Sequence, residues 1–207
     1  MLVVDDISVC FGDEKVLDHF SCHIKRGDFA CLTGKSGCGK TSLLRAFLGL
    51  TPLSGGEIRV EGEILNEKTC NFVRRRTMYL PQELSFPCDT VGEFINHSLR
   101  LGRIKNVQYS TFLLREKMVY LGLDEDILNK RMTEISGGQR QRMILAVLAL
   151  LDKDIWLLDE PTAALDGTSR GYMIDFLLEQ QRQGKTLVAV SHDMHFASCC
   201  STVIQLD

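Results

Sequence analysis

Short apolar runs ending in polar clusters alternate along the chain with longer stretches of helical period, the pattern of an α/β domain built around a largely parallel sheet. Four strands carry the argument, over 29–33, 77–80, 155–158 and 186–190. They run into a glycine-rich loop, into Pro81-Gln82, into Asp159-Glu160 and into Ser191-His192. In open parallel sheets ligands bind beyond the carboxyl ends of the strands, so four sequence-distant clusters are predicted to converge on one site. Residues 2–25 are rich in β-formers, turn at Gly12-Asp13, and read as hairpin or mixed-sheet strands; 57–60 follows the Gly55-Gly56 turn as another β segment. From Gln82 to Ser136 the period becomes helical. Val91, Phe94, Ile95 and Leu99 share one face, and Leu113, Leu114, Lys117, Met118 and Leu121 the next, which predicts a helical insertion over about 83–134. A helix follows Ser136 to about Leu151, and another runs over about 168–183 and stops at Gly184.

At 207 residues and 44% hydrophobic, the chain is predicted to form one domain with a sizeable core. The longest apolar run, 143–151, is about half of the roughly 20 residues a membrane-spanning helix needs. The N-terminus carries Asp5 and Asp6 where a signal peptide would be basic, so the chain is expected in the cytoplasm. A net charge of −3 gives no electrostatic reason to expect nucleic acid as a direct partner. Arg74, Arg75 and Arg76 read as solvated surface. The 8 cysteines show no CxxC pair, which predicts reduced, mostly buried thiols rather than a zinc site or disulfide framework.

Residues 34–41, GKSGCGKT, match the phosphate-binding pattern G-x-x-x-x-G-K-[ST] in its strand-loop-helix context. Gly34, Gly37 and Gly39 let backbone N–H groups turn inward around phosphate oxygens, and the following helix adds its positive N-terminal end. Lys40 is the expected ligand of the β- and γ-phosphates, with Thr41 placing its hydroxyl on Mg²⁺. In IWLLDE, Asp159 fits the carboxylate that holds Mg²⁺ opposite Thr41. Its neighbour Glu160 would face the space beyond the γ-phosphate, where a carboxylate can accept the proton of an attacking water. The stretch ISGGQRQR opens a helix with a serine and two glycines, a second anion-binding N-terminus in the same chain.

ISGGQ resembles the LSGGQ signature of ATP-binding cassette (ABC) proteins and stands shortly before the Asp-Glu strand, as in that family. The resemblance covers essentially the whole chain. It implies a P-loop NTPase (RecA-like) core with a parallel sheet, an N-terminal antiparallel β subdomain and an inserted α-helical subdomain. It also implies an ATP- and Mg²⁺-dependent ATPase. The nucleotide-binding residues would be Phe11, which matches the adenine-stacking aromatic, with Gly34, Lys35, Ser36, Gly37, Cys38, Gly39, Lys40, Thr41 and Ser42. Gln82 matches the Q-loop glutamine, grouped with Thr41 and Asp159 around the metal and with Lys40, Glu160 and His192 in catalysis. His192 matches the switch histidine; Ala164, Leu165 and Asp166 match the D-loop. The signature Ile135, Ser136, Gly137, Gly138 and Gln139 would act across a head-to-tail homodimer formed in the ATP state, meeting the nucleotide held by Lys40 of the other copy.

Three positions depart from the family pattern. Ile135 replaces leucine, Ala163 a frequent serine, and Lys35 a common proline, while no catalytic position is lost. The resemblance implies a subunit of a bacterial transporter, peripheral on the inner face of the membrane through a separate permease. The expected coupling surface is the helical stretch after Gln82, including Phe86, Val91, Phe94 and Ile95. The compact architecture is similar to short export-type cassettes, and 15 residues after His192 lead us to expect no appended domain.

Overall fold

The computed structural model describes residues 1–83, 88–101 and 107–206. Two sheets stack in it. The first is antiparallel, with strand order β2-β1-β4-β5: β1 (Leu2–Phe11), β2 (Glu14–Ile24), β4 (Gly55–Val60) and β5 (Glu63–Ile64). β1 and β2 form the hairpin turned at Gly12-Asp13, and β4 pairs antiparallel to the other side of β1. The second sheet is parallel, with order β6-β7-β8-β3-β9: β3 (Phe29–Gly34), β6 (Thr77–Leu80), β7 (Ile155–Asp159), β8 (Thr186–Val190) and β9 (Thr202–Leu206).

β3, β6, β7 and β8 are largely apolar because both faces are covered, whereas β9 at the sheet edge alternates in exposure. Phe29, Cys31, Trp156, Leu158, Leu187 and Ala189 face one core cluster, with α5 (Gly137–Ala149) and α6 (Gly167–Arg182). Ala30, Leu32, Ile155, Leu157, Val188 and Val190 face the other, shared with α1 (Lys40–Phe47) and the antiparallel sheet. Burying each large side chain contributes roughly 1.5–3 kcal/mol, so a sheet used on both faces is the stable frame of the molecule. Phe29 meets Phe196 of α7 (Met194–Cys199) edge-on, with ring centroids 5.6 Å apart.

Between β6 and α5 lie α3 (Val91–Leu101), α4 (Val107–Tyr120) and a short 3-10 helix, Glu125–Asn129. Val91, Phe94 and Leu99 of α3 are buried, as are Leu114, Met118 and Leu121 on and just after α4. Val91 and Phe94 are therefore core, which corrects their expected place on a coupling surface; Ile95 is half-buried against the same cluster, and Phe86 lies outside the described residues. Their helical period arises from packing inward. Phe112 and Val119 of α4 are the apolar side chains this region exposes among the described residues, beside the half-exposed Tyr120.

The arginine triplet ends α2 (Cys70–Arg76) at the surface, as expected, with Arg74 and Arg75 exposed and Arg76 half-exposed. From there Arg74 Nε donates to the Leu48 carbonyl at 2.8 Å and Arg76 lies over the Phe72 ring. The expectation of mostly buried thiols is corrected. Of the cysteines only Cys31 is fully buried; the other seven are half-buried, and all are unpaired. No helix among the described residues is long and apolar enough to cross a membrane.

Candidate active site

The loop between β3 and α1 shows why three glycines stand there. Gly34, Gly37 and Gly39 have φ of 148°, 85° and 90°. A Cβ on Gly34 would lie 2.4 Å from the Leu206 carbonyl oxygen of β9, and one on Gly39 2.8 Å from a methyl of Leu17 in β2. The backbone is thus clamped between the two sheets. Gly39 caps α1 with no side chain, so the first-turn N–H groups have no internal partner and suit a bound anion. Lys40 is buried, and its Nζ donates to the carbonyls of Gly34 at 3.0 Å and Lys35 at 2.6 Å, which holds the ammonium inside the loop.

Asp159 closes β7 on the adjoining side. Thr41 Oγ1 donates to its Oδ1 at 3.1 Å and the Tyr79 hydroxyl to its Oδ2 at 3.3 Å. Burial pushes the Asp159 carboxyl above its usual range, against the pull of those hydrogen bonds and of Arg45 and Lys40. Glu160 follows in a left-handed conformation, φ 50°, which non-glycine residues rarely adopt. Its N–H donates to the Val190 carbonyl at 3.0 Å, fastening the end of β7 to that of β8. The carboxylate is buried. His192 Nε2 stands 3.3 Å from Oε1, yet without the alignment of a hydrogen bond, so Oε1 has no hydrogen-bond partner among the described residues. Burial raises the Glu160 pKa; the nearby His192 side chain and backbone pull it down by less.

His192 itself is 55% exposed at its side chain. Asp193 caps α7 by accepting from the N–H groups of His195 and Phe196, and pairs with Arg170 at 3.1 Å.

One cavity of about 660 Å³ joins these parts. Phe11, Ser36, Gly37, Gly39, Lys40, Thr41, Ser42, Gln82, Asp159, Glu160 and His192 all line it. Phe11 is 53% exposed at its mouth, a large apolar ring with no core role. Gly34, Lys35 and Cys38 complete the loop without lining the cavity. The remaining predicted residues lie elsewhere. Ile135 is buried, while Ser136 and Gly137 are exposed at the start of α5. There Ser136 Oγ accepts from the Gln139 N–H at 3.1 Å and Gln139 Oε1 from the Ser136 N–H at 3.0 Å, a reciprocal capping box. Gly138 packs against the D-loop, where a Cβ would lie 3.0 Å from a Leu165 methyl and 3.1 Å from the Ala164 carbonyl oxygen. Asp166 caps α6 by accepting from the Ser169 N–H at 2.8 Å.

Tyr79, Thr162, Arg170 and Gln141 were not legible as site residues. The signal for Tyr79 was its place on β6, the strand that runs into Pro81-Gln82, but Arg170 and Gln141 arrive from helices whose packing no local pattern announces.

A glycine-clamped loop with a buried lysine, a Thr-Asp pair and a buried glutamate at the strand ends define a P-loop nucleoside triphosphatase. Comparison with known proteins narrows the class. The family model described as ABC transporter matches residues 17–163. The glutamate/aspartate import ATP-binding protein of Escherichia coli is 32% identical over 204 residues, 95% of this chain and 83% of that protein. The phosphonates import ATP-binding protein of Trichormus variabilis is 34% identical over 194 residues, 88% of this chain and 78% of that one. A dimeric ATP-binding cassette solved in a post-hydrolysis state with ADP and Pi has a TM-score of 0.88 at 25% identity, covering 100% of this chain and 94% of that chain. The chain belongs to the ABC transporter family, as an ATP-binding and ATP-hydrolysing subunit.

Proposed function

We propose that the residues gathered around the 660 Å³ cavity hydrolyse ATP by in-line attack of water on the γ-phosphorus, with Glu160 as the base. The observation that carries this is the buried Glu160 Oε1, which has no hydrogen-bond partner among the described residues and belongs to a carboxyl made more basic by burial. The water oxygen bonds to phosphorus as its proton passes to Glu160, and the bond from phosphorus to the bridging oxygen of ADP breaks. The α1 N–H groups, Lys40 and His192 stabilise charge on the transferring group. Phe11 stacks on the base, and residues 34–42 cradle the phosphates.

Thr41, Asp159 and Gln82 offer oxygen donors on one wall of the cavity, with Thr41 and Asp159 already in contact, a donor set suited to a hard divalent cation. They would hold Mg²⁺, which when bound offsets the charge of the β- and γ-phosphates.

Ser136 and Gly137 lie on an exposed helix start and do not line the cavity that contains Lys40. The reading this supports is that Ile135–Gln139 complete the site of a second copy. ATP then closes a homodimer and hydrolysis reopens it, the two-state element that does work on a partner. That partner is a separate membrane-spanning permease, which holds this chain on the inner face of the membrane by docking on the helical unit of about 83–134. The relatives named above are import proteins, which favours import over the export-type likeness.

The test is light scattering of Glu160→Gln with and without MgATP, beside phosphate release by the parent. Nucleotide-dependent dimerisation with hydrolysis lost is expected. A variant that stays monomeric and hydrolyses ATP at the parent rate would overturn both the base and the composite site.

A further inference from the structure

Gln141 lies on α5 four residues past Gly137 and is 3% exposed. Its Nε2 donates to the main-chain carbonyl of Glu160 at 3.0 Å; the partner is an acceptor, which fixes the orientation of the amide. The Ala163 N–H reaches the same oxygen at 3.3 Å, and the Glu160 N–H is held by the Val190 carbonyl at 3.0 Å. Both peptide groups flanking the left-handed Glu160 are therefore tied, one of them by a side chain from a different element.

Gln141 Oε1 has no partner among the described residues, although the atom is buried. Beside it is a small cavity of about 190 Å³, lined also by Gln82, Gly137, Arg140, Glu160 and Ala164. A buried glutamine with half its amide unpaired is a poor stabiliser, since the unmet acceptor offsets what the one hydrogen bond contributes. An apolar residue of the same volume would serve packing better. What the amide does supply is a fixed distance between the helix that begins with the signature and the backbone of the glutamate.

We propose that Gln141 is a positioning residue for hydrolysis. It holds the Glu160 backbone in the conformation that turns the carboxylate into the ATP cavity, and it makes that aim depend on where the signature helix sits. In the dimer, the helix that receives the nucleotide of one site thereby sets the base of the other. The proposal rests on Glu160 being the base, and the experiment separates the two.

Steady-state and single-turnover phosphate release are measured on the full chain for the parent, Gln141→Met, Glu160→Gln and the double variant. For Gln141→Met, kcat falls about tenfold, the scale of one ordinary hydrogen bond lost from the transition state. KM for MgATP changes less than about twofold, since that bond touches no phosphate. In the Glu160→Gln background the same change costs nothing further, because the carboxylate it aims is gone. A kcat at the parent level, or an equal loss with and without the Glu160 carboxylate, overturns the proposal. Should Gln141→Met not fold, Gln141→Leu also removes the amide donor with a side chain of similar volume and no charge, and carries the same expectation. If neither folds, Gln141 is structural and the proposal fails. Parent-like hydrolysis by Glu160→Gln would instead sink the base assignment itself.

Discussion

Replacing Gly39 by alanine tests whether the two sheets really clamp the phosphate loop. Gly39 sits at φ 90°, ψ 10°, where an L-residue costs about 1–2 kcal/mol. The new Cβ would lie 2.8 Å from Leu17 Cδ2 and 2.9 Å from both Leu17 Cγ and Val16 Cγ1. Leu17 is buried and cannot swing into water, so the overpacking adds about 1–3 kcal/mol. The sum is about 2–5 kcal/mol. Gly37→Ala is the control. Its φ is 85°, but no heavy atom lies within 4 Å of the added Cβ, so only the conformational part, about 1–2 kcal/mol, applies. Urea unfolding followed by the fluorescence of Trp156, the single and fully buried tryptophan, reads both variants. The expected order is parent, then Gly37→Ala, then Gly39→Ala. For a chain of this length Gly39→Ala should also lower the thermal midpoint by roughly 10 °C. If Gly39→Ala is as stable as Gly37→Ala, the contact with the hairpin does not shape the loop and the clamp argument is wrong.

Burial holds the Glu160 pKa above its unfolded value, so its stabilising share is complete below the ordinary carboxylate range and is lost as pH rises through the raised value. Glu160→Gln should accordingly have a higher thermal midpoint than the parent at neutral pH and converge with it in acid, as calorimetry across that range would show. Arg142 is buried, with Nη1 donating to the carbonyls of Leu121 at 2.6 Å and Gly122 at 2.9 Å just past α4. Arg142→Met leaves both acceptors unmet and should cost about 2–4 kcal/mol in urea unfolding; a loss under about 0.5 kcal/mol would mean water replaces the guanidinium. Ser136→Ala removes the α5 cap and should cost about 1 kcal/mol. Its larger effect falls on assembly. Titration of the monomer with labelled ATP should be unchanged while the nucleotide-dependent dimer disappears, and weakened monomer binding would contradict a role in the second copy's site.

Much of this was legible because the chemistry stands at strand ends. The strands expected over 29–33, 77–80, 155–158 and 186–190 are β3, β6, β7 and β8 to within a residue. β7 and β8 are buried throughout and β3 and β6 nearly so, so a short, mainly apolar run that ends in polar residues marks each of them. β9 escaped notice because it is an edge strand of alternating exposure, with Thr202, Val203 and Ile204 all at least partly open to solvent. α2 and α7 were missed for another reason. At seven and six residues they are too short to show a helical period, and they exist through caps such as Asp193 and through contacts such as Phe196 on Phe29. Helical period alone does not separate a face that is apolar for the sake of the core, as at Val91 and Phe94, from one that meets a partner.

The order of the strands explains why residues so far apart in sequence can act together, and why only some could be assigned roles in advance. In the sheet, β8 lies between β7 and β3, and β6 lies outside β7. Gln82, the Asp159-Glu160 pair, His192 and the phosphate loop therefore follow one another along a single edge, although His192 is the last of them in the chain. Spacing in sequence carries no trace of this, because each crossover helix can vary in length without moving the strand it serves. What fixes the line is the register: Leu158 opposite Ala189, Asp159 opposite Val190, and Leu32 opposite Val190 on the other side. A one-residue slip of β8 would reverse its two buried faces and turn His192 from the nucleotide edge. The geometry of the candidate site is thus protected by the same apolar residues that hold the sheet, whereas α5 stands outside this register. Among the described contacts its Gln141 amide reaches the Glu160 carbonyl from outside the sheet, which is why the proposed role of Gln141 lets α5 act on Glu160 while the phosphate loop stays in place.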